Sequence, residues 1–198
     1  MTNSDYKRRL DRLGAEVSRG LVYYSVWEAL WPTDETVRII DRLRNFVSPV
    51  RGALFETVLL RFSKVMDRGS ESPGLPSMTQ AAVDNRDALV PHATERELAD
   101  MLEQVSQQEL ALDALLRVKD QHIAQLGGNP FDDATLRKGD VENFVKSVQQ
   151  IFNRLYTAHA DDRYLWSQQA QRSAMTTMQL LEFLESEMEA SQRERESG

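Results

Sequence analysis

The stretch LLRVKDQHIAQLGG, residues 115–128, places Arg117 five residues ahead of His122. Those two residue types can cleave RNA without a metal. A histidine that titrates near neutrality moves protons to or from a ribose 2′-hydroxyl, and an arginine stabilises charge on the phosphate. Five residues on a straight helix is about 140° of rotation, so the two do not face each other as residues three or four apart do. To cooperate they need a helix end, a neighbouring helix or a second subunit. The same spacing also fits a solvated arginine beside a half-buried histidine.

Other residues invite a similar weighing. Arg61 falls on the apolar side of its segment, with Leu54, Val58 and Val65. A buried arginine needs an acidic partner, and Asp67, Glu56 or an acid on the long helix would serve. It reads as a structural ion pair or as a phosphate contact. His159 has Asp161 and Asp162 nearby, but residues so close in sequence point to different sides of a helix, so TAHADDRYLW reads as a polar helix junction rather than a metal site. His92 reads as a loop residue. Trp27, Trp31 and Trp166, with Tyr23, Tyr24 and Tyr164, read as core or interface anchors. No Gly-rich phosphate loop, GxSxG elbow or HExxH pair is present. Neither a metal nor a cofactor is expected.

The elements that must position these residues are all helical, because apolar residues recur every three or four positions and no β-branched run alternates strictly. A first helix is expected over 5–31, with Ser4 as N-cap and Pro32 ending it. Leu10, Leu13, Val17, Leu21, Tyr24, Trp27 and Trp31 form its apolar stripe. Thr33 is expected to cap a second helix opening with Asp34 and Glu35. Ser48-Pro49 reads as the start of a third helix, running to about Asp67. RGSESPGLPS, 68–77, is the clearest loop. Ser77 is expected to cap a short helix over 78–89, stopped by Pro91. Thr94 and Glu97 form a capping box opening a long helix, 95–126, that stops at Gly127-Gly128. Its stripe is expected to hold Leu98, Met101, Leu102, Val105, Leu112, Leu116, Ile123 and Leu126, with Lys119 inside it. NPFDD is a turn, Asp140 caps the next helix, and a final helix takes Tyr164 to about Met188. One domain over 1–190 is expected, with a charged, frayed tail over 191–198.

Composition bounds the function. The 198 residues are 41% hydrophobic and 28% charged, enough for one sizeable core. No apolar run nears the ~20 residues of a spanning helix, and MTNSDYKRRLDRLG lacks a secretory apolar stretch, so no membrane association is expected. With no cysteine, disulfides, thiolate metal sites and cysteine nucleophiles are excluded and a cytoplasmic location is the default. The net charge of −7 disfavours extended nucleic-acid binding but leaves room for a local basic cleft.

Three features of the chain resemble the HEPN superfamily, most closely its AbiU2-like branch from phage abortive-infection and toxin–antitoxin loci. SKVMD ends a helix before the polar loop SESPGLPSM. VKDQHIAQL is similar to the family's signature of arginine, polar residues, an aliphatic, alanine and histidine. A loop and paired C-terminal helices follow. The resemblance implies a bundle of about six helices with HEPN-like topology and long antiparallel helices, a homodimer with a composite site, RNA as target, and an antitoxin or nucleotidyltransferase protein partner. Two registers are open. If IAQ lies on the family's isoleucine–alanine–histidine, Lys119 and Gln125 stand where the catalytic arginine and histidine would be, Asp120 keeps the polar position, and the nuclease is dead. In the other register Arg117 and His122 are catalytic, with Val118 at the polar position. Arg61 and Asp67 are the supporting residues in either case. A non-enzymatic helical module that binds a protein partner is the alternative from a different class.

Overall fold

The computed structural model describes residues 1–69, 74–124 and 138–197, with side chains described to Asp120 in the middle segment and to Arg193 at the end. Gln125, Gly127-Gly128, the NPFDD turn and the side chains of His122 and Ile123 lie outside the described residues.

Eight helices and no strand are found among the described residues: α1 Asn3–Ala29, α2 Val37–Arg42, α3 Arg44–Val65, α4 Leu75–Asp84, α5 Arg86–Leu89, α6 Glu95–Ala124, α7 Lys138–Ala160 and α8 Gln169–Ser197. The all-α expectation holds, with eight helices in place of about six.

The boundaries differ from expectation where local bonding or packing overrides propensity. The α1 cap is Thr2, whose hydroxyl accepts the Asp5 N–H at 3.1 Å; Ser4 lies inside the helix. Thr33 and Thr36 exchange side-chain-to-amide hydrogen bonds at 3.0 and 3.2 Å, which holds Asp34 and Glu35 in a turn and delays α2 to Val37. Pro49 sits inside α3, which starts at Arg44. The Leu43 carbonyl accepts from Phe46 and Val47, starting the helix early, and Val47 is buried with Ile39 and Ile40. That packing keeps the helix going through a proline with no N–H to give the preceding turn. Pro76 falls in the first turn of α4, where a missing N–H costs nothing, so α4 starts within the expected loop. Asn85 breaks the expected 78–89 helix in two. The last helix starts at Gln169 rather than Tyr164 and runs on to Ser197.

Helix α1 is the central element. It packs along α3 and α8 and touches α4, α5 and α7. Its pairing with α3 is antiparallel: Glu16 meets Arg61, and Trp27 meets Phe55. Two glycines set the spacing. A Cβ on Gly20 would lie 2.8 Å from the Phe62 ring, and one on Gly14 only 2.6 Å from the Tyr164 ring. Helix α6 packs on α4, α7 and α3. The main core runs from Tyr6, Leu10 and Trp27 through Phe55, Phe62, Phe144 and Phe152 to α6. A smaller cluster of Leu30, Ile39, Ile40, Val47 and Leu181 joins α2, α3 and α8.

The capping box at Thr94 is present. Glu97 accepts from the Thr94 N–H at 2.8 Å, and the Glu97 N–H reaches the Thr94 hydroxyl at 3.2 Å. The buried side of α6 consists of Leu98, Met101, Val105, Leu112 and Leu115. These fall on heptad positions: 98, 105 and 112 on one, 101 and 115 on the other, with the half-buried Gln108 between those two. Leu116, expected at the centre of the stripe, is therefore at its edge and half-buried.

Candidate functional site

The residues singled out in the sequence do not converge among the described residues. Arg117 is exposed on α6 and makes no ion pair there. Lys119, two residues on, is half-buried and lies 3.3 Å from the carboxylate of its neighbour Asp120. Gln125 and the His122 side chain are outside the described residues. Arg61 is half-buried and takes Glu16 of α1 as its acid, at 3.6 Å, with its guanidinium 5.7 Å from the Tyr23 ring centroid. Neither Asp67, Glu56 nor an acid on α6 plays that part, because the side of α3 carrying Arg61 packs on α1. Glu16 also accepts from Arg19, so the cluster is an interhelical ion-pair group. Asp67 has local work: its carboxylate accepts the Gly69 N–H at 2.9 Å, forming a turn. At Gly74 the chain passes so close to the Asp67 carbonyl that a Cβ would lie 1.7 Å from it.

A cleft of about 450 Å³ opens instead at the other end of α6. Met101 lines it and Arg117 is sixteen residues further on, about 24 Å along the axis. One wall is the start of α6, with Glu97 and Met101; the other is the end of α7, with Asn153, Arg154 and Thr157. The two helices run antiparallel here, joined by Arg154, which pairs with Asp100 at 2.7 Å and donates to Gln104 at 3.0 Å.

The third side is built by the chain leaving α7. Asp161 takes φ 53°, a left-handed conformation that ends helices and that aspartate tolerates better than most residues. Residues 163–167 then run non-helical, and side chains alternate. Tyr164 and Trp166 turn inward onto Phe152 and Tyr156 of α7, with ring centroids 5.0 to 5.4 Å apart. Leu165 turns outward and is 90% exposed, while Arg163, also exposed, lines the cleft at its rim. Gly14 gives the Tyr164 ring room against α1. The Trp166 indole N–H donates to Asn153 Oδ1 at 2.9 Å.

The lining carries two arginines, Arg154 and Arg163, against one glutamate. Hydrogen bonds from the Thr94 N–H and hydroxyl hold the Glu97 carboxyl below its ordinary value, so it is ionised at neutral pH. Arg163 has no side-chain partner among the described residues. His159 stands apart from the cleft. Its Nδ1 lies 2.6 Å from the Leu89 carbonyl, which only accepts, so Nδ1 carries the proton; its ring packs on Tyr6 at 5.3 Å. That matches a helix junction. Among the described residues no group of three or more histidines and acids could hold a metal, and no helix is long and apolar enough to cross a membrane.

The sequence does not single out Asn153, Arg154 or Arg163: the first two are ordinary polar positions of a helix, and the third precedes a tyrosine that reads as the start of the next one. Leu165 stands between two aromatics, so Arg163–Ser167 shows no apolar–polar alternation and the sequence carries no period-two signal for this extended stretch.

A second surface feature is the outer face of α8. Met175, Leu180 and Phe183 are 55%, 55% and 59% exposed and fall within about 140° of arc. Glu182 and Glu187 are exposed beside them. The opposite side of α8 packs on α1 and α2.

Comparison with protein-family models, curated proteins and solved structures finds no match to this chain.

Proposed function

We propose that this chain acts by binding another protein through the outer face of α8, and that it is not a working ribonuclease. The observation that carries this reading is the apolar group Met175, Leu180 and Phe183, more than half exposed on a helix whose other side is already packed. Clustered exposed apolar side chains mark interaction surfaces. Glu182 and Glu187 decide what fits. A second copy of the same face laid parallel would set acid against acid, whereas an amphipathic helix with leucines on one side and lysines or arginines at its margins answers both the apolar and the charged part. The test uses two labelled synthetic helices, one of leucine and lysine and one of leucine and glutamate. The basic helix binds, more weakly as salt rises, and Phe183→Asp abolishes binding while helicity and Tm are kept. Equal binding of the acidic helix, or binding unchanged in Phe183→Asp, removes the reading.

A second reading is favoured by one observation: Arg117 is exposed and free of ion pairs among the described residues. It is the HEPN-like one, an RNA-directed protein of a defence or toxin–antitoxin system. With it go a homodimer, a cytoplasmic setting and an antitoxin or nucleotidyltransferase partner. If Arg117 and His122 work together, purified protein cleaves single-stranded RNA in the presence of a chelator, and His122→Ala lowers the rate by roughly 10²–10⁴-fold. Light scattering then reports twice the chain mass. The expected result is no cleavage above background, with Lys119→Arg combined with Gln125→His restoring some if the chain is a degenerate member.

A further inference from the structure

We propose that the cleft between the start of α6 and the end of α7 binds a small aromatic anion: one planar ring system carrying one phosphate or carboxylate, of about the size of a nucleoside monophosphate. The proposal is independent of the α8 surface and of the Arg117–His122 question, since the cleft shares no residue with either.

Size comes first. At about 450 Å³ the cleft lies in the range of small-ligand sites. It is open on one side and too small for a folded partner.

The ring follows from Tyr164 and Trp166. Their centroids are 4.7 Å apart with the ring planes inclined at 64°, and both residues are only half-buried although Phe152 and Tyr156 already pack behind them. The Trp166 N–H is committed to Asn153, which fixes the indole and leaves its ring surface as what it can offer a ligand. Aromatic surface held rigid beside polar groups suits a planar ligand, which loses little freedom on stacking.

The charge follows from Arg163. Arg154 is taken up by Asp100 and Gln104, and Glu97 by Thr94. Arg163, exposed at the mouth, is the cation with no side-chain partner among the described residues. With Asn153 Oδ1 accepting from Trp166, the amide nitrogen of Asn153 remains as a donor in the lining. The lining thus has a positive surplus in a chain of net charge −7. A guanidinium and an amide beside an aromatic wall match an anionic oxygen group joined to a ring.

The test titrates AMP, salicylate, adenosine and inorganic phosphate into the full chain, read by calorimetry and by the indole N–H resonances, with Trp166 assigned through Trp166→Phe. The expected result is saturable binding of AMP or salicylate with Kd below about 1 mM. The Trp166 resonance moves, and adenosine and phosphate bind at least roughly tenfold more weakly. The AMP and salicylate arms distinguish a nucleotide from an aromatic carboxylate. Arg163→Ala, a change to an exposed side chain that leaves the fold intact, weakens binding by roughly tenfold or more, and Arg163→Lys recovers part of it. The proposal is overturned if neither aromatic anion saturates, if adenosine or phosphate binds as well as the aromatic anion that does, or if Arg163→Ala changes nothing.

Discussion

Arg154 of α7 and Asp100 of α6 lie 2.7 Å apart across two antiparallel helices, fifty-four positions apart in sequence, and bridge α6 and α7 beside the cleft. Both side chains are more than a third exposed, so solvent screens the pair. A double-mutant cycle with Arg154→Ala and Asp100→Ala gives a coupling under about 1 kcal/mol. A larger value would mean the pair is drier than its exposure indicates.

Gly14 and Gly52 make opposite predictions for the same substitution. At Gly14 a methyl group meets the Tyr164 ring, which Phe152, Tyr156 and Trp166 hold in place. Gly14→Ala costs about 1–3 kcal/mol by chemical denaturation. At Gly52 nothing lies within 4 Å of the added atom, and Gly52→Ala gains up to about 1 kcal/mol from helix propensity. Equal effects at the two sites would contradict the close α1–Tyr164 approach.

The heptad on α6 separates two adjacent leucines. Leu115→Ala, like Leu112→Ala, removes a buried side chain and costs about 2–5 kcal/mol. Leu116→Ala removes a half-buried one and costs clearly less than Leu115→Ala. Denaturant midpoints that reverse this order would place the buried face of α6 elsewhere.

Tyr6 couples stability to alkaline pH. Burial raises its phenol well above the ordinary 10.0, and its hydroxyl donates to the Met78 carbonyl at 3.3 Å. A raised folded pKa stabilises fully below the unfolded value; that contribution is lost as pH rises above 10 towards the folded one. Thermal melts from pH 8 to 11 therefore show Tm falling above about pH 10, with a shallower fall in Tyr6→Phe. Tyr24, raised by burial and by Glu28, leaves a residual slope. Identical slopes for wild type and Tyr6→Phe would contradict the buried, neutral phenol.

The helical class, the capping box at Thr94 and most of the α1 core are legible in the chain alone, because these rest on short-range chemistry. A threonine three residues before a glutamate bonds its own backbone whatever else is nearby, and a 3.6-residue apolar period requires a buried side on whichever partner arrives. Tertiary structure decided the rest. Pro49 reads as a helix start, yet burying Val47 carries the helix through it. Leu116 fits the apolar period as well as Leu115 does, and the choice fell to the heptad that faces α4 and α7. Arg61 needed an acid, and only the packing of α3 on α1 named Glu16. The Tyr164–Trp166 wall needed Gly14, 150 positions away, to make room for a ring. Each of these depends on which surfaces meet, and contacts between distant segments leave no local periodicity to read.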